Sequence, residues 1–272
     1  MKYATAEIDG ARVVGVIEAG RLAPLEFDGD MRAYIAAGAP QVAAGAARPL
    51  AQVRLCAPVD NPSKMLAIGR NYAEHAAEEG VPLPEAPLIF AKLPSAIIGH
   101  GDTIQWDPEI TAEVDFEAEL AVIIGREARG VSEAEALSYV FGYTCANDVS
   151  ARDLQRGDGQ WTRAKGLDTF CPLGPWIETD IADPNNLSIT SWVNLDRMQD
   201  SNTGSMIFKV PYLIAYISRM FTLYPGDIIL TGTPSGVGFA RKPPRFLGDG
   251  DSVRVELEGI GVLQNVCAVV KG

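Results

Sequence analysis

Histidine and cysteine are scarce in this chain, and long apolar runs are absent. Only His75 and His100 occur among the 272 residues, which excludes a multi-histidine metal site. The four cysteines, Cys56, Cys145, Cys171 and Cys267, lie far apart with no CxxC pair. Neither a zinc site nor a disulfide frame follows from such spacing; reduced thiols in an intracellular protein do. No stretch approaches the roughly 20 apolar residues that span a bilayer, and the start Met1-Lys2-Tyr3-Ala4-Thr5-Ala6-Glu7 lacks the apolar region of a signal peptide. A soluble, cytoplasmic protein is the simplest expectation. Cations are outnumbered as well, 23 Lys and Arg against 35 Asp and Glu, for a formal charge of −12. Nucleic acid and anionic membrane are therefore not expected as partners, because phosphate binding needs clustered Lys and Arg.

What is present suggests one large core with a small appendage, since 47% of the residues are apolar. Tyr3 to Ile8, Asp9-Gly10 and Arg12 to Ile17 read as a hairpin with the Asp-Gly pair at its turn. An alanine-rich stretch, 31–47, predicts one or two short helices interrupted by Gly38 and Pro40. Residues 1–57 thus form an expected small subdomain, and Pro58 and Asn61-Pro62 mark its junction with a main domain, 58–272. There, short strands predominate: 65–68, 88–92, 116–124, 139–147, 187–194, 227–231, 252–258 and 263–270. Helices are expected at 72–79, as a single turn after the capping-box pattern Ser132-x-x-Glu135, at 151–155 and at 211–221. Irregular strand spacing with few crossover helices predicts a β-rich α+β fold.

Three carboxylates stand out chemically. In a strand over 116–124, Glu117 and Glu119 share a face with Cα atoms about 7 Å apart. Like charges held beside apolar packing call for a divalent cation, and oxygen-only ligands favour magnesium, manganese or calcium. The alternative is an edge strand whose acids face water. Asp148 sits where a strand runs into a helix, as a third ligand or as a plain helix cap. Arg152, Arg156, Arg163 and Lys165 make 151–165 locally basic, which suits either a small anionic substrate or an ordinary solvated face. His75 and Glu78, three apart on a helix, can form a base dyad, or merely a solvated His on a Glu-rich surface. The glycines and prolines at Gly80, Pro82, Pro84 and Pro87 suggest that this helix moves as a lid. A strand then feeds a glycine-rich loop, Thr231-Gly232-Thr233-Pro234-Ser235-Gly236, which is no P-loop; its amides and the Thr233 hydroxyl can hold a carboxylate, or simply make a tight turn.

Taken together, Gly69-Arg70-Asn71-Tyr72 with His75 and Glu78, Phe90-Ala91-Lys92-Leu93-Pro94-Ser95, Asp115-Phe116-Glu117-Ala118-Glu119-Leu120, Asn147-Asp148-Val149-Ser150-Ala151-Arg152-Asp153, Gly174-Pro175-Trp176 and Thr231-Gly232-Thr233-Pro234 follow an order that resembles the fumarylacetoacetate hydrolase family, from about Lys64 to Val266. The likeness is to the acylpyruvate hydrolase and 2-hydroxyhepta-2,4-diene-1,7-dioate isomerase branch. It implies a mixed β-sandwich roll, a homodimer, and a Mg2+ or Mn2+ site, with Ca2+ as a further option. By motif position the resemblance implies Glu117, Glu119 and Asp148 as ligands, His75 with Glu78 as the water-activating dyad, and Lys165 as an electrophilic contact. Arg70, Lys92, Arg152, Gln155 and Thr233 would surround the substrate. The implied activity is hydrolysis of a carbon–carbon bond in a 2,4-dioxo acid of acylpyruvate or fumarylpyruvate type, releasing pyruvate and a carboxylic acid. The same site also suits an oxaloacetate decarboxylase or an unsaturated 2-oxo diacid isomerase, and the non-enzymatic alternative is a metal-dependent carboxylate-binding protein.

Overall fold

The computed structural model of the chain describes residues 1–271. Two sheets dominate it. The larger has twelve strands, and its main path runs from Arg48–Pro49 through Arg21–Pro24, Ala11–Glu18 and Lys2–Ile8 to Cys171–Glu178 and Val140–Asn147. It continues through Ala118–Ile124, Ile228–Leu230 and Met65–Gly69 to Leu88–Lys92. The smaller has five, ordered Asp196–Asn202, Ser188–Val193, Ser252–Leu257, Gly261–Val269 and Thr103–Trp106. Most pairs are antiparallel, but Ile228–Leu230 runs parallel to Met65–Gly69 and Gly261–Val269 parallel to Thr103–Trp106. The β-rich fold anticipated from the short strands, with the mixed sheets that the resemblance implied, is what the chain forms.

Ala118–Ile124 lies at the centre, between Val140–Asn147 and Ile228–Leu230, and every residue in it is buried. Alternation splits the strand between two cores. Ala118, Leu120, Val122 and Ile124 pack with Val255, Leu257 and Leu263 of the small sheet and with Leu213, Ile214 and Ile217 of the helix Val210–Met220. Ala121 and Ile123 pack the other way, against Met31, Tyr34 and Ile35 of the helix Met31–Ala36. Each fully buried Ile or Leu here contributes roughly 1.5–3 kcal/mol, so the strand that starts beside the acidic residues is firmly held.

The N-terminal hairpin turns at Asp9-Gly10 as anticipated, pairing Lys2–Ile8 with Ala11–Glu18. Its first strand also pairs with Cys171–Glu178, so segment 1–57 extends the large sheet of the main domain. Several local expectations need correction. The turn expected after Ser132-x-x-Glu135 forms as a 3-10 turn, Ala136–Tyr139, but the two side chains bond to each other at 2.6 Å and cap nothing. The strand Cys171–Glu178 went unread because Pro172 and Pro175 interrupt its pattern; a neighbour and the N-terminal strand nevertheless pair with it. Among the described residues no helix is long and apolar enough to cross a membrane.

Candidate active site

Glu119 is the second residue of the central strand, whereas Glu117 precedes it, in the break between Val114–Asp115 and Ala118–Ile124. The two glutamates are therefore not on one regular strand. The local geometry comes instead from Asn147, whose Oδ1 accepts the Glu117 amide at 3.0 Å, and from the Glu117 carbonyl, which accepts the Asp148 amide at 2.9 Å. Asp148 stands just beyond Val140–Asn147 and caps nothing, because the helix Arg152–Asp158 starts from Ala151 without a side-chain cap. Glu117, Glu119 and Asp148 are 5%, 1% and 0% exposed, and each offers an oxygen within 4.8 Å of the others. A solvated edge strand is excluded.

Cations surround the trio. Lys165 Nζ donates to Glu117 Oε2 and Asp148 Oδ2, both at 2.8 Å. Lys92 Nζ donates to Asp148 Oδ1 at 2.6 Å and to the Lys165 carbonyl. Arg152 Nη2 approaches Glu117 Oε1 at 2.6 Å as an ion pair without a well-directed hydrogen bond, and Arg152 Nε donates to Asp115 Oδ2 at 2.9 Å. Four acids (Asp115, Glu117, Glu119, Asp148) against three cations (Lys92, Arg152, Lys165) leave a net charge of −1 in a buried cluster. The load is uneven. Burial works against ionisation of Glu117, but the charges of Lys165 and Arg152 hold its carboxyl well below the usual range. Glu119 goes the other way: burial, then the negative charges of Asp148 and Glu117, push it well above that range, only partly offset by Lys165 and by the Gly232 amide, 2.7 Å from its Oε2. A carboxyl forced toward neutrality by two carboxylate neighbours is a strain that a hard divalent cation relieves, and this all-oxygen donor set fits one.

His75 lies on the helix Ala73–Glu78, buried. Its Nδ1 is 3.2 Å from Glu78 Oε2, so the anticipated pair forms; its Nε2 is also 3.2 Å from Glu79 Oε1, a contact that sequence reading missed. The i,i+4 spacing of His75 and Glu79 was the available signal. Burial lowers the imidazole pKa, but the two carboxylates outweigh it and raise it to about 9. Glu79 also accepts from Arg70 Nε at 2.7 Å, and Arg70 holds a left-handed backbone with φ 57°. The helix is tied down at Glu78 Oε1, which accepts the Gly236 amide at 3.0 Å, and at Asn71, whose side chain bonds Phe208 and Thr231 backbone atoms.

The glycine-rich loop corrects another expectation. Its amides are not open to a ligand: Gly232, Gly236 and Gly238 donate to Glu119, Glu78 and Asp115 respectively. Thr233 Oγ1 donates to the Ala118 carbonyl at 2.9 Å and accepts from Gln199 Nε2 at 2.7 Å. Gln199 and Asp115 thus brace the site from behind, and their roles are hard to read in the sequence because the loop residues they hold, Thr233 and Gly238, are 34 and 123 residues away. Gly232 is required by geometry: φ is +96°, and a Cβ would lie 2.7 Å from Asn71 Cβ.

An inner cavity of ≈ 10 Å³ is lined by Arg70, His75, Glu117, Arg152, Lys165 and Thr233, among others, and an adjoining one of ≈ 230 Å³ by Arg70, Arg152, Gln155 and Arg156. Lys92 lines neither, being spent on Asp148. Arg156 and Arg163 pair at the surface with Glu113 and Asp158, so only part of the basic stretch faces the acids.

Fold and site together define a β-rich protein with a buried cluster of carboxylates whose oxygens suit a hard cation, beside an arginine-lined cavity. The chain belongs to the fumarylacetoacetate hydrolase family: residues 64–268 match the family described as fumarylacetoacetate (FAA) hydrolase C-terminal. It is 51% identical to the mitochondrial oxaloacetate tautomerase FAHD2B of Bos taurus over 221 residues, 80% of this chain and 70% of that protein. Its structure resembles that of a 2-hydroxyhepta-2,4-diene-1,7-dioate isomerase from Mycobacterium marinum, with 40% identity, TM-score 0.85 and coverage of 99% and 98% of the two chains. It also resembles a maleylpyruvate hydrolase from Sphingobium sp. SYK-6 in complex with manganese(II) and pyruvate, with 32% identity, TM-score 0.81 and full coverage of both chains.

Proposed function

We propose that this chain is a Mg2+- or Mn2+-dependent enzyme that interconverts the enol and keto forms of a 2-oxo acid of the oxaloacetate type. Glu117, Glu119 and Asp148 would hold the ion. When bound, it would supply the Lewis acid that polarises the 2-oxo group and favours the enol. Arg70 and Arg152 bind carboxylate, Lys165 adds positive charge beside the ligands, and Phe90 and Trp161, which line the inner cavity, keep water out.

The reading rests on His75. With a carboxylate 3.2 Å from each ring nitrogen, which in the metal-free protein raises the pKa to about 9, the ring is held toward its protonated form. A charged imidazole is a poor base toward water and a good acid toward carbon. From enol to keto, the ring gives its Nε2 proton to C3 as C2=O forms, the C2 hydroxyl proton passes to solvent, and the ring, left neutral, takes one proton back from solvent. No water is consumed and no carbon–carbon bond breaks. The tautomerase and isomerase named among the relatives support this choice.

Hydrolysis of a 2,4-dioxo acid is the second reading, favoured by the hydrolase relative and by an inner cavity with room for about one water molecule. It needs His75 neutral, which its two acidic partners oppose. Homodimerisation and a cytoplasmic location, expected from resemblance and composition, belong to the proposal as well.

Metal-depleted protein, supplemented with Mg2+ or Mn2+, should accelerate decay of the ultraviolet absorbance of enol-oxaloacetate without releasing pyruvate. Pyruvate release from acylpyruvates or fumarylpyruvate, without enol decay, would establish hydrolysis instead. Turnover of neither kind would leave a carboxylate-binding protein and defeat the enzymatic reading.

A further inference from the structure

Five residues are common to the two cavities and form the partition between them: Arg70, Glu79, Arg152, Gln155 and Trp161. Glu79 is the sole acid among the five. Each arginine near the partition has its own counter-ion: Arg152 has Asp115 and Glu117, Arg156 has Glu113, and Arg70 has Glu79. Glu79 does two tasks at once, since one oxygen accepts from Arg70 Nε at 2.7 Å and the other lies 3.2 Å from His75 Nε2. Its side chain is 14% exposed, and the larger cavity reaches it.

We propose that Glu79 stands in for a substrate carboxylate and sets specificity for 2-oxo dicarboxylic acids. The distal carboxylate of such an acid exchanges with Glu79 on Arg70, and the exchange frees His75 Nε2 for its work. The swap is like for like in charge. A monocarboxylic 2-oxo acid, held by its one carboxylate, brings nothing to replace Glu79, so moving it would strand the Arg70 guanidinium beside a low-dielectric cavity. Glu79 also sits at the end of its helix. Glu78 is anchored to the Gly236 amide and Glu74 lies 3.3 Å from Ser235 Oγ, but Glu79 is the C-cap and is followed by Gly80 at φ +71°. Its carboxylate can leave by turning the last residue while the helix stays docked.

The inference rests on the reading that the site takes 2-oxo acids, and its test separates the two. Calorimetry on the Mn2+-loaded protein would compare 2-oxoglutarate with 2-oxopentanoate, which has a methyl group in place of the distal carboxylate. Wild type should prefer 2-oxoglutarate; Arg70→Gln should lose about tenfold in affinity for it and erase the preference, while Glu79→Gln should tighten it about tenfold and barely change 2-oxopentanoate. A preference that neither substitution alters would overturn the role of Glu79. Weak binding of both acids to wild type would instead count against 2-oxo acids as the ligand class.

Discussion

Replacing Glu119 with glutamine removes the charge that the site tolerates least and keeps an oxygen for the Gly232 amide. Its nearest acidic neighbours, Glu117 and Asp148, offer oxygens within 4.8 Å. At an effective dielectric constant of about 20, each such pair repels by about 3 kcal/mol. Because burial and this repulsion raise the Glu119 pKa in the folded protein, the folded state binds that proton more tightly than the unfolded state. Stability from this group is therefore fully present at acid pH, below the ordinary carboxyl range, and is lost as pH rises through the folded value. Glutamine has no such loss. Metal-free Glu119→Gln should thus match wild type near pH 4.5 and exceed it at pH 8, by up to about 3 kcal/mol. Magnesium should act in the opposite sense. At hundredfold excess over Kd it stabilises wild type by about 2.7 kcal/mol, which for a chain of this size raises Tm by roughly 5–10 °C, and it should leave the variant unmoved. Thermal melts at both pH values, with chelator and then with Mg2+, measure both effects. A variant less stable than wild type at pH 8 without metal, or one that responds to Mg2+ as wild type does, would refute the electrostatic account.

Lys165→Met should destabilise the metal-free protein by about 3–5 kcal/mol in urea unfolding, since it strands Glu117 and Asp148 without their shared partner, and Mg2+ should restore part of the loss. His75→Asn should lower enol–keto turnover about 10²- to 10⁴-fold while calorimetric Mg2+ affinity stays unchanged, which separates proton transfer from ligation. Gly232→Ala should cost about 1–3 kcal/mol from its positive φ and its contacts with Asn71 and Ile68, and should weaken Mg2+ binding because the amide on Glu119 moves.

The chain's order of short strands and its ordered motifs were enough to anticipate the fold and the acidic trio. The unbroken apolar run Leu120 to Ile124, followed by Gly125, marks a buried strand directly, and the acids beside it cannot be solvated if the strand is central. Other features depend on distant partners. Glu117 leaves the strand because Asn147, thirty residues away, takes its amide. The loop amides at Gly232, Gly236 and Gly238 read as open donors, yet each is filled by a carboxylate from elsewhere in the chain. Lys92 reads as a substrate contact, but burial turns it into the counter-ion of Asp148. Glu79 lay in plain view beside Glu78; its meaning appears only when Arg70 folds onto it.

The central claim is that a divalent ion at Glu117, Glu119 and Asp148 lets this chain enolise a 2-oxo acid. Proton NMR of 2-oxoglutarate in D2O, with metal-loaded enzyme, follows that event directly through exchange of the C3 methylene protons for deuterium. Loss of the C3 methylene signal that requires Mg2+ or Mn2+ and disappears in Glu119→Gln is the predicted result. Exchange at an equal rate without metal, or none when the metal is demonstrably bound, would contradict it.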